Sequence, residues 1–93
     1  MSLVGRFVIV RTYAAGVHFG KLASQAGKEA TLTSAGRIWK WCGANTLHEI
    51  ALKGVGSGSR VSLLVEEIIL TDVIEIIAGT EAAAQSLTTA GWA

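Results

Sequence analysis

The sequence is short of charge. Only 16% of its residues are Asp, Glu, Lys or Arg, against about 25% in an average globular domain, and they nearly cancel to a formal +1 at pH 7. A chain this close to neutral has no general attraction for nucleic acid or for an acidic membrane surface. It holds one cysteine, Cys42, which excludes an internal disulfide and fits a reducing compartment. Long hydrophobic runs are missing too. The most extended apolar stretches are of strand length and carry acids, so no transmembrane helix is expected. Near the start, Arg6 and Arg11 interrupt the apolar run before the core of a secretory signal could form. Together these absences predict a cytoplasmic protein with no membrane contact.

Catalytic and metal-binding spacings are also lacking. A metal site would have to draw on His18, His48, Cys42 and scattered acids, but no Cys-x-x-Cys or His-x-x-x-His pair occurs. Cys42 beside a histidine would make a nucleophile and base, yet no helix N-terminus adjoins it to favour the thiolate. Glu66 and Glu67 are adjacent on a strand-like stretch, which points them to opposite faces. The Gly54–Ser59 loop lacks the Gly-Lys-Ser/Thr ending that cradles phosphate. Neither an enzyme nor a cofactor is expected.

What the chain does hold is apolar surface. Of 93 residues, 51% are hydrophobic. A single domain over residues 1–93 has little polar surface with which to cover them, so burial against a second copy is the simplest remedy. Two of the three tryptophans stand two residues apart in Gly36-Arg37-Ile38-Trp39-Lys40-Trp41-Cys42-Gly43. The strand period of two places Arg37, Trp39 and Trp41 on one face.

Taken in order, Gly5–Tyr13 reads as a first strand, rich in β-branched and aromatic residues. Ala14-Ala15-Gly16 turns into a short strand, Val17–Leu22. Gln25–Lys28 reads as a hairpin turn and Glu29–Thr33 as a third strand with Ala30 and Leu32 inward. Ser34-Ala35-Gly36 then turns into the tryptophan strand, giving an antiparallel meander. Thr46-x-x-Glu49 matches a capping box opening one helical turn. Gly54–Ser59 is the expected flexible loop. The β-branched stretch Val61–Ala78 predicts two strands kinked at Thr71-Asp72. Thr80 caps a C-terminal helix through Leu87, stopped by Gly91, with Trp92 stapling the tail. The fold class is mainly β: a small antiparallel sheet or roll with a short middle helical turn and a C-terminal helix.

If the first and tryptophan strands are neighbours, Arg11, Tyr13, Arg37, Trp39 and Trp41 emerge on one face. Aromatic rings with guanidinium groups suit stacked bases and phosphates. The same residue types dominate protein–protein hot spots, and the neutral charge favours that second use.

Several stretches carry a resemblance: Val10-Arg-Thr-Tyr-Ala-Ala-Gly-Val17, Arg37-Ile-Trp-Lys-Trp-Cys-Gly-Ala44, Asn45-Thr-Leu-His-Glu-Ile50, and Ser59-Arg-Val-Ser62 followed by Glu67–Ile77. Over roughly residues 8–80 the chain resembles a family of small phage and prophage proteins of unknown function. Those proteins often carry serine in the Tyr-x-Ala-Gly turn and a proline before the Glu-Ile-Ile strand. Here Ala14 and Leu64 stand instead, and the chain has no proline. The resemblance implies a viral setting, in the infected bacterial cytoplasm or the virion, and no activity. Two functions are expected in turn. The first is a non-enzymatic structural or interaction protein, working as a homo-oligomer or with other phage proteins. The alternative is a small-ligand, nucleotide-type binding protein acting against host defence.

Overall fold

A computed structural model describes residues 2–89. Its elements are β1 (Phe7–Thr12), β2 (Val17–Ala26), β3 (Glu29–Lys40), α1 (Leu47–Lys53), β4 (Arg60–Val61), β5 (Val65–Leu70), β6 (Val73–Ala78) and α2 (Glu81–Thr89). The strands form one antiparallel sheet in the order β4-β3-β2-β1-β6, with β5 also on β3. β4 pairs with the C-terminal end of β3 and β5 with its N-terminal half, so the two share one edge. The fold is mainly β, with one short helix in the middle of the chain and one at its end, as the patterning predicts.

β5 and β6 are separated only by Thr71 and Asp72, yet they pair with β3 and β1 on opposite sides of the sheet. Two such strands can meet only if the sheet rolls over on itself. The roll is fastened where the Val73 N–H donates to the Lys28 carbonyl and the Tyr13 N–H to the Asp72 carbonyl.

The bend that permits the roll lies in the β2–β3 hairpin, where the register slips between Phe19 and Lys21. Ser34, opposite the slip, takes a left-handed φ of 47°, the mark of a bulge that bends and twists a strand. Gly20 has no alternative there, since a Cβ would lie 2.9 Å from the Thr33 carbonyl oxygen. The extra residue also resets the side-chain phase, which brings Ala30, Leu32 and Ala35 into one cluster.

Two cores result. Inside the roll, Val8, Val10, Leu22, Ala30, Leu32, Ala35 and Leu70 pack together. On the outer face, Ile9, Phe19, Ile38 and Val61 meet Ile50 and Ala51 of α1 and Leu87 of α2. The helices are locked together by Thr80, whose hydroxyl accepts from the Ala83 N–H as a cap and donates to the Leu52 carbonyl of α1. Thr46 caps α1 as expected, its hydroxyl accepting from the Glu49 N–H, while the Glu49 carboxylate accepts from the N–H of Asn45, one residue before the cap.

Three expectations need correction. Glu29–Thr33 and the tryptophan stretch are one continuous strand, because the small residues Ser34-Ala35-Gly36 make a bulge where they were expected to make a turn. β2 runs on to Ala26, beyond the expected end at Leu22. The Gly54–Ser59 loop, expected to be flexible, is pinned over Gly54–Gly56 and again at Ser59. Gly54 N–H bonds Ile50, Gly56 N–H bonds Cys42, and Val55 is held at both its N–H and its carbonyl by the Ser86 hydroxyl. The expected roles of Gly91 and Trp92 lie outside the described residues.

Candidate functional site

Residues paired directly across an antiparallel sheet share a face, and two rungs settle where the expected binding residues stand. Val10, His18 and Arg37 form one rung; Arg11, Val17 and Ile38 form the next. β1 and β3 are therefore not neighbours, since β2 lies between them. Arg11 and Arg37 still sit at the same end of the sheet, on adjacent rungs and opposite faces. Tyr13, in the turn after β1, is at that end too and is 79% exposed. Arg11 reaches the Glu75 carboxylate at 4.0 Å on the neighbouring β6. That pair is solvated and its energetic worth is small.

The tryptophans part company. The β3–β4 register shifts between Ile38 and Lys40, and β3 ends at Lys40. Strict alternation therefore does not reach Trp41, which turns in against the outer core, as do Leu47 and Val55. Trp39, at the bulge, stays 53% exposed. The five residues are thus gathered at one end of the roll but do not make a single stacking platform.

The Arg37 rung borders a cavity of about 240 Å3 between β2, β3 and the start of β5, lined by His18, Ala35, Gly36, Arg37, Ser62, Val65 and Ile68. His18 is only 4% exposed. Its Nε2 lies 3.0 Å from the Ala15 carbonyl oxygen, and a carbonyl can only accept, so Nε2 carries the proton. Burial holds the His18 pKa below its ordinary 6.5; the Ala15 bond works against this and the nearby Arg37 charge adds to it. The ring is therefore neutral near pH 7. Arg37 is fixed through its backbone, which receives the Ser62 N–H at its carbonyl and gives its own N–H to the Ser62 hydroxyl. Its guanidinium lies over Gly16, where a Cβ would stand 3.2 Å away. Sequence reasoning found Arg37 through its neighbouring tryptophans but weighed His18 only as a metal ligand or a base and set it aside, since its only other signal was a polar residue among apolar ones in β2.

Beside this cavity the sheet edge is unusually apolar. Leu63, Leu64 and Val65 follow one another at 68%, 45% and 48% exposure. They join β4, which brackets Trp39, to β5, whose outer edge has no strand beside it in the described sheet. Ile69 and Ile74 are also exposed along β5 and β6.

Among the described residues, no three of His, Cys, Asp and Glu are grouped so as to hold a metal ion. Among the same residues, no helix is long and apolar enough to cross a membrane. Cys42 is half-buried and packed into the loop junction with Gly56 and Ser59.

A family described as "Domain of unknown function (DUF6948)" matches residues 5–87. That span runs from the turn before β1 almost to the end of α2, and so takes in the whole roll and its helical cover. No curated protein and no solved structure matches the chain.

Proposed function

We propose that this chain, which belongs to the family of the domain of unknown function DUF6948, is a non-enzymatic interaction protein that assembles with copies of itself. One observation carries the reading: three consecutive large apolar residues, Leu63-Leu64-Val65, stand exposed on an open sheet edge next to Trp39. A monomer seldom leaves such a run uncovered. An open edge also presents unpaired backbone donors and acceptors, which another strand can satisfy. Exposed tryptophan, with arginine on either flank of the same sheet end, is the composition of an interface centre. The similarity of the chain's motifs to those of small phage and prophage proteins supports a viral setting, either in the infected cell or as a repeated part of the particle.

Hydrogen–deuterium exchange at low and high protein concentration tests the assembly. Amides of Leu63–Leu70 should gain protection as concentration rises, while those of the buried β1–β2 pairing stay unchanged. Equal exchange across β5 at every concentration would contradict it. Detection of the chain by mass spectrometry in purified virions would separate a particle component from a protein confined to the infected cell.

A further inference from the structure

The cavity beside Arg37 combines three features that no packing role requires. Its floor is apolar, made by Ala35, Gly36, Val65 and Ile68. Its only charged lining residue is Arg37, which makes no ion pair among the described residues. Its wall includes a nearly buried histidine whose second nitrogen, Nδ1, has no protein partner among the described residues and is not sealed from solvent. With the proton on Nε2, Nδ1 presents a lone pair and acts as an acceptor. The serine at the rim is already occupied, because the Ser62 hydroxyl accepts from Arg37 N–H and donates to the Leu63 carbonyl.

We propose that this cavity is a binding site for a small organic carboxylate with an apolar body. The planar guanidinium of Arg37 matches a carboxylate with two parallel N–H donors. Nδ1 of His18 accepts from a hydroxyl or N–H on the ligand. The apolar floor takes the ligand's body. At about 240 Å3 the space is below the roughly 300–1,000 Å3 of pockets for drug-sized molecules, so the occupant has the size of a benzoate or a branched short-chain acid. The position of Gly16 fits this use, since any side chain there would press on the guanidinium. The site meets the self-association edge only at Val65: Leu63 and Leu64 do not line the cavity, and Leu64 instead reaches the Phe19 side of Gly36.

The test is titration of the isotope-labelled full chain with benzoate, 4-hydroxybenzoate and 3-methylbutanoate, followed by amide chemical shifts. Arg37→Gln and the cavity-filling Val65→Trp serve as variants, because both positions are exposed and neither supports the core. At least one of these acids should saturate at millimolar concentration or below, with shifts centred on residues 18, 35–37 and 62–68. Both variants should weaken it by about tenfold or more, a loss of about 1.4 kcal/mol. 4-Hydroxybenzyl alcohol, which lacks the carboxylate, should bind at least tenfold more weakly than 4-hydroxybenzoate. The proposal is overturned if no acid shifts these residues up to about 10 mM, if Arg37→Gln binds as well as the parent, or if adenosine monophosphate binds in their place around Tyr13 and Trp39.

Discussion

Trp39 and Trp41 show how little separates a contact residue from a core residue. They are two positions apart, and only the bulge in the β3–β4 pairing and the end of β3 give them different fates. Trp39→Ala should leave the fold within about 1 kcal/mol of the parent, as surface changes do, and weaken self-association by about 2 kcal/mol or more, the hot-spot scale. Trp41→Ala should do the reverse, removing roughly 2–3 kcal/mol of folding stability because its ring is half-buried against the outer core. Urea unfolding of both variants, paired with light scattering, separates the two outcomes. His18 supplies a pH dependence at the same scale. Its folded pKa lies below the ordinary 6.5, so between those values the unfolded chain binds more protons than the folded one. Stability is then fully present above pH 6.5 and declines as pH falls through 6.5 toward the depressed value. Glu49, lowered chiefly by the Asn45 N–H bond, adds its own loss only as pH falls through its ordinary 4.5. Melting temperature measured from pH 8 to 5 should fall below pH 6.5 in the parent and stay flatter in His18→Gln.

Among the elements, the bend of the β2–β3 hairpin decides the architecture. Ser34 sits at a left-handed φ of 47°, which a small polar residue tolerates and a β-branched one resists. Ser34→Val should cost about 1–3 kcal/mol and Ser34→Asn little, as read by thermal unfolding. Thr80 joins the helices, so Thr80→Ala, which loses both a cap and a bond to Leu52, should cost about 1–2 kcal/mol. Much at this scale was legible in the sequence. β-Branched and aromatic density marked β1, Thr-x-x-Glu marked the start of α1, and β-branched density with a break at Thr71-Asp72 marked β5 and β6. The bulge at Ser34 was not legible, because Ser-Ala-Gly is equally good chemistry for a turn and for a strand that bends without ending. Nor was the pinning of the glycine loop, which depends on Ser86, thirty-one positions from Val55. The candidate site was legible in part. Arg37 and Trp39 announced themselves by type, whereas the cavity arises only when β5 is laid against β3.

At the scale of the whole molecule, the roll buries two cores but leaves its outer strands uncovered. β5 and β6 each pair on one side only, and the junction leading into β5 carries Leu63, Leu64 and Val65 into solvent. With so few charges in the chain, little on that edge discourages a neighbouring strand beyond Arg60, Glu66 and Glu67, and natural sheets ordinarily guard their edges more heavily. The economical use of such an edge is pairing between copies. Sedimentation velocity over a wide concentration range tests this most directly. The account predicts a mass that climbs above the 9.7 kDa of one chain as concentration rises, and that returns to one chain in a Leu63→Glu, Leu64→Glu variant with an unchanged circular dichroism spectrum. A parent chain that sediments as a single 9.7 kDa species at every concentration would contradict it.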